Sequence, residues 1–203
     1  MHETTGLRER KKAETRRAIR EGVLILALDR GIDDVTTEGI AAEANVSVRT
    51  FHNYFGSKEE ALVEAWRYEL QVYVDALRER PTGESILDSL EHVLKAVATR
   101  LGQRPRGSFD AAELLRTSVA QLHQRSVLLD EAVRSVTDVV AERTGTDATK
   151  DIYPHLVTNA AISAIATVMQ FAPTASAGQR ERLLERSFAL LRNGLQMTGE
   201  QPT

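Results

Sequence analysis

Residues 36–62 read T-T-E-G-I-A-A-E-A-N-V-S-V-R-T-F-H-N-Y-F-G-S-K-E-E-A-L, and this stretch decides the fold. Thr36 or Thr37 stands where a hydroxyl can accept a hydrogen bond from the opening amides of a short helix, which the residue pattern places over 38–44. Asn45 ends that helix, because asparagine tolerates the left-handed conformation a tight turn requires. Ser47 caps a second short helix over 48–54, Gly56 and Ser57 break it, and Ser57 caps a long helix that starts at Lys58. Two short helices joined by about three or four residues have the geometry of a helix-turn-helix. Ile40, Ala41 and Ala44 of the first are placed to pack on Val46, Phe51 and Phe55, with Ala41 supplying the small side chain a close crossing needs.

The second helix then presents Val48, Arg49, His52 and Asn53 outward. A major groove admits one helix; Arg pairs with guanine, Asn with adenine, and apolar groups touch the thymine methyl, so these four are the candidate base readers. Thr36, Thr37, Ser47, Thr50, Tyr54 and Lys58 carry hydroxyl, phenol and ammonium groups suited to phosphates, which set register without carrying sequence information. The amides opening each short helix add an anion-binding end. Upstream, residues 8–20 hold Arg8, Arg10, Lys11, Lys12, Arg16, Arg17 and Arg20 against Glu9 and Glu14, a local charge of +5 in a chain of net charge −3. Alone, such a run reads as a solvated helix face. Beside a helix-turn-helix it reads as including phosphate contacts, with Lys11, Lys12 and Arg16 the candidates.

Composition sets outer limits. With 42% hydrophobic and 27% charged residues the chain is an ordinary globular protein, and scarce aromatics favour helix over sheet. It has no cysteine, which excludes disulfides, thiolate metal sites and cysteine nucleophiles. The N-terminus lacks the apolar core of a signal peptide, and the longest weakly polar stretch, 160–171, is too short to span a bilayer. A cytoplasmic protein with no membrane association is expected, and no cofactor or metal is called for.

Outward from the opening stretch, the spacing of Ile19, Val23, Leu26 and Ala27 predicts a helix over about 7–29, stopped by Gly31. The helix from Lys58 reaches about residue 80 with an apolar stripe of Leu62, Ala65, Trp66, Leu70, Tyr73 and Leu77. Pro81, Thr82 and Gly83 mark the clearest boundary, and helical patterns follow at about 85–101, 109–123, 128–143, 151–171 and 179–197. An all-α chain is expected: a three-helix helix-turn-helix domain over 1–57, joined through helix 58–80 to a helical ligand-binding and dimerisation domain over 58–203. The last two patterns look like an interface between copies. Ala160, Ala164 and Val168 lie in an Ala-rich run with Ser163 and Thr167, and Leu184, Phe188, Leu191 and Leu195 repeat with the 4-3-4 spacing of a coiled-coil seam. An intramolecular core would give the same pattern. Trp66, Tyr73, His92, Phe109, Leu115, Val119 and His123 are the candidate lining of a ligand pocket, although each residue type also serves as plain core.

Residues 9–62, most densely V-S-V-R-T-F-H-N-Y-F-G-S-K-E-E-A-L, resemble the N-terminal domain of TetR-family regulators, matching at Ile40, Ala41, Val46, Ser47, Thr50, Tyr54, Phe55, Ser57, Lys58 and Leu62. Asn45 replaces the family's usual Gly, and Phe51 and His52 stand where the family tends to have a smaller apolar residue and a Tyr. The resemblance implies an all-helical homodimer that binds a palindromic double-stranded operator, usually represses transcription, and is released by a small-molecule effector. Beyond residue 80 it is architectural only. Two other readings compete. A carboxylate-bridged bundle enzyme needs Glu-x-x-His pairs on two helices, and the chain has none; phosphate-loop and dinucleotide glycine motifs are also absent. A protein-interaction module that has lost DNA binding would not need Arg49, Lys58 and the basic run.

Overall fold

The computed structural model describes residues 3–102, 119–172 and 174–196. Eight α-helices and no strand occur among them: α1 (Glu3–Arg30), α2 (Thr37–Glu43), α3 (Val48–His52), α4 (Lys58–Arg78), α5 (Ile86–Gly102), α6 (Val119–Thr144), α7 (Tyr153–Phe171) and α8 (Ala177–Arg192). The all-α expectation holds. The helices form two compact units that divide inside α4, between Leu70 and Gln71.

In the first unit, α1 is exposed from Gly6 to Glu14 and buries Ile19, Val23, Leu24 and Leu26 in its later turns. The helix stops at Gly31, whose φ of +79° places it in the left-handed region open to glycine. Gly22, in the middle of α1, sits where a Cβ would lie 3.4 Å from the Ile40 carbonyl oxygen and 3.5 Å from the Ala44 nitrogen. α1 therefore lies close against the backbone of α2 at this position, with room for no more than a methyl in ordinary van der Waals contact. Sequence reading passed over this position, because an isolated glycine in a helical pattern signals only a propensity loss of about 1 kcal/mol. Ile40, Ala41, Phe51 and Phe55 are fully or almost fully buried, as their spacing predicts, with the two phenyl rings 5.9 Å apart.

In the second unit α5 packs on α8 and α7, and α6 packs on α7. The sequence predicts a break near residues 124–127, but α6 runs unbroken from Val119 to Thr144. Gln124, Arg125, Ser126 and Val127 include neither Gly nor Pro, so nothing there interrupts the backbone ladder. Gly145 (φ +67°) ends α6, and the Thr146 amide returns to the Ala141 carbonyl at 3.0 Å. α8 opens on a capping box between Ser176 and Gln179. It closes at Arg192, short of the predicted residue 197, because Gly194 and Leu195 both take positive φ.

Candidate nucleic-acid interface

The short helices are held by their caps. Thr36 Oγ1 accepts from the Gly39 amide at 3.1 Å and so opens α2. Ser47 Oγ accepts from the Thr50 amide at 3.0 Å and lies 2.8 Å from Thr50 Oγ1, opening α3. The Thr36 hydroxyl, and one hydroxyl of the Ser47–Thr50 pair, still carries a proton that it can donate to an anion. Asn45 takes φ +53°, the left-handed turn its residue type predicts. On α3, Phe51 points inward while Arg49, His52 and Asn53 are exposed and Val48, Thr50 and Tyr54 are half-buried. The His52 ring meets Phe51 edge-on, at 5.4 Å and 88°. The structure thus brings the four sequence-predicted readers and the predicted hydroxyls Ser47 and Thr50 onto one short helix and its cap.

The cations separate into two groups. Lys11 and Lys12 lie on the exposed start of α1. Arg16 instead makes a two-pronged ion pair with Glu64 of α4, through Nε at 2.6 Å and through Nη2, and lies over the Phe55 ring at 4.9 Å. Arg20 reaches the same carboxylate at 3.4 Å and stacks on Tyr68 at 4.0 Å. The Arg16 hydrogen bond holds the Glu64 carboxyl below the usual carboxylate range, with the charges of Arg16 and Arg20 adding to it. Arg17 pairs with Glu21 one turn on. Lys58 Nζ donates to the carbonyls of Ile32 (2.8 Å), Asp33 (3.2 Å) and Val35 (2.7 Å). Sequence reasoning grouped Arg16 and Lys58 with the phosphate contacts. It missed Glu64, for which no local spacing could have served as a signal: the partners lie 48 residues apart.

Of the seven predicted pocket residues, the side chains of Trp66, Tyr73 and His92 lie among those described. His92 is exposed, and Trp66, in the first unit, is 36% exposed, so neither lines an interior; Tyr73 is half-buried. Phe109 and Leu115 lie outside the described residues, as do the side chains of Val119 and His123. Two side chains that sequence reading missed are Thr137 and Thr158, whose buried hydroxyls have no partner among the described residues. Arg143, at the end of α6, donates to the carbonyls of Arg80 (2.7 Å) and Pro81 (3.0 Å) and to Ser89 Oγ (3.1 Å). Ser89 donates in turn to Glu84 at 2.7 Å, and Glu84 pairs with Arg80.

Two of the four residues of the predicted coiled-coil seam, Leu184 and Phe188, lie in the chain's own core. Leu184 and Phe188 are fully buried, Val168 and Ala164 nearly so, and Ala160 and Leu191 half-buried within a single chain. Leu195 is exposed but beyond the helix, at φ +62°, and so is out of line with the other three. Within the chain, α8 packs on α5 and α7. Exposed on α7 instead are Leu156, Asn159, Ser163, Ala166, Thr167 and Gln170, a continuous helical face. Among the described residues no helix is long and apolar enough to cross a membrane.

Residues 21–65 match the family model described as bacterial regulatory proteins, tetR family, and residues 110–196 match that of the MftR C-terminal domain. The HTH-type transcriptional regulator TcmR of Streptomyces glaucescens is 31% identical over 160 residues, which cover 75% of this chain and 70% of TcmR. The HTH-type transcriptional repressor KstR of Rhodococcus jostii (strain RHA1) is 33% identical over 91 residues, 45% of this chain and 42% of KstR. A TetR-family transcriptional regulator from Streptomyces coelicolor has the same fold in its crystal structure, with a TM-score of 0.63 at 18% identity, covering 93% of this chain and 99% of that one.

Proposed function

The chain belongs to the TetR family of bacterial regulatory proteins, and on that premise we propose that it is a homodimeric operator-binding repressor released by a small molecule held in its second unit. Membership makes it a DNA-binding transcriptional regulator. The observation that supports the finer reading is α3, which buries Phe51 and leaves Arg49, His52 and Asn53 exposed side by side. In this reading Arg49, His52 and Asn53 read base edges with Val48 beside them, while Thr36, Thr37, Ser47, Thr50, Tyr54, Lys11 and Lys12 hold phosphates. Arg16 contributes by fastening α1 to α4 through Glu64. Residues 1–57 form the DNA-binding domain and 58–203 the sensing and dimerisation domain, with α4 belonging to both. The protein acts in the cytoplasm and as a regulator rather than an enzyme.

The exposed α7 face centred on Ser163 replaces the α8 seam as the surface that meets a second copy. Its small and polar residues allow a close approach of two helices, and a palindromic operator asks for a two-fold protein. The effector is read as a hydrogen-bonding molecule that satisfies Thr137 and Thr158, since an orphaned buried hydroxyl costs about 1–3 kcal/mol. Replacing Thr158 by its apolar isostere is then neutral or stabilising in the free protein; a lower melting temperature for Thr158→Val rejects that reading. For the function itself, gel shifts on the DNA upstream of its own gene are run against random duplex across a salt series. Preference for the upstream DNA is expected, with affinity falling steeply as salt rises. No preference at any salt concentration rejects the operator-binding reading.

A further inference from the structure

We infer that Lys58 is a positioning residue for operator binding, its ammonium tying the α1–α2 connection to the first turn of α4 instead of meeting a phosphate. An ammonium has three N–H donors and no acceptor, and here all three have carbonyl partners: Ile32, Asp33 and Val35. These carbonyls belong to the turn between α1 and α2, where the Ile32 carbonyl also accepts from the Val35 amide at 3.2 Å and the Lys58 ammonium adds a donor from α4. The connection ends at Val35, which is buried, and its next residue is Thr36, the cap that opens α2. α2 in turn carries Ile40 and Ala41 into the core shared with Phe51 of α3. Lys58 therefore fixes where α2 starts, and through α2 where α3 lies.

The charge itself argues for this role. A cation at the first position of a helix opposes the helix dipole, and the neighbouring Glu59 and Glu60 are the residue types that position favours. Three carbonyl oxygens within 3.2 Å compensate a placement that would otherwise be unfavourable. A phosphate contact would require Lys58 to give up at least one of these three bonds. The inference rests on reading α3 as the recognition helix, but its first test does not need DNA.

That test is amine acetylation of the full-length protein, followed by mass spectrometry. In the absence of DNA, Lys58 is expected to react about 10-fold or more slowly than the exposed Lys11 and Lys12, since modification requires its hydrogen bonds to open. Adding the upstream duplex then changes Lys11 and Lys12 but not Lys58. Lys58 reacting as fast as Lys11 and Lys12 without DNA, and becoming protected only with DNA, overturns the inference. Binding by the Lys58→Met and Lys58→Arg variants provides the second test. Expected is a roughly 10-fold loss of affinity for the upstream duplex in both, with binding to random duplex and the salt slope unchanged. Rescue by Arg, or equal weakening on every sequence with the salt slope lower by about 1.8 in Lys58→Met (one lost phosphate in each subunit of the dimer), marks a phosphate contact and overturns it. A protein that shows no DNA preference while Lys58 stays protected fails the operator reading and leaves the tie intact.

Discussion

The Val46 amide donates to the Ala41 carbonyl at 2.8 Å, across a turn in which the Asn45 amide reaches the Ala42 carbonyl at 3.1 Å. Together with φ +53° at Asn45, these two bonds close the end of α2 and set the angle at which the chain enters α3. A β-branched residue is strained there. Asn45→Val is expected to destabilise the protein by about 1–2 kcal/mol, and Asn45→Gly to leave it within about 0.5 kcal/mol of the parent. Urea unfolding at fixed protein concentration measures both. Equal stability of all three proteins would show that the turn does not depend on this conformation.

Arg49 is exposed on α3 and is the side chain best suited to guanine. Arg49→Ala is expected to relax base preference at one position in each half-site, at a cost of about 1–3 kcal/mol. Competition with operators mutated one base pair at a time reads this directly. Uniform weakening on all of them assigns Arg49 to a phosphate.

Phe188 and Ser163 separate core from interface. Phe188→Ala removes a fully buried ring and is expected to lower unfolding stability by about 3–5 kcal/mol. Ser163→Arg places a large cation in the middle of the exposed α7 face. It is expected to yield folded monomers in sedimentation equilibrium, with the helical circular dichroism of the parent. A dimer that survives Ser163→Arg moves the interface elsewhere.

Glu84 carries a pH dependence with a definite sign. Hydrogen bonds from Arg80 first and Ser89 second bring its carboxyl down from 4.5 to about 2. A carboxyl lowered on folding adds stability that is complete above its unfolded value and is lost as pH falls through its folded value, so this window spans about pH 4.5 to 2. Ser89→Ala is expected to raise the Glu84 midpoint in a carboxyl NMR titration. An unchanged midpoint would mean that Arg80 alone sets it.

Local chemistry was legible wherever a residue acts on its own neighbours. Thr36, Ser47 and Asn45 each act within about three positions, so their roles as caps and turn could be read from order alone. The outward placement of Arg49, His52 and Asn53 followed from helical period once Phe51 was assigned to the core. Spacing could not tell which partner an apolar stripe meets. Leu184 and Phe188 have the period of a seam whether they face α5 and α7 or a second copy, and burial within one chain decided it. Nor could it tell which cations are already engaged, since a basic run looks the same whether or not a carboxylate waits on another helix.

By itself, the sequence determined the helix-turn-helix, its caps and the exposed side of α3, because hydrogen bonds to near neighbours and a 3.6-residue period are written into consecutive positions. Tertiary structure alone decided that Arg16 belongs to Glu64, that Lys58 belongs to three carbonyls, and that Gly22 lies against the backbone of α2. Those pairings join residues about 20–50 positions apart, and only the folded chain brings them within reach of forces that act over a few ångströms.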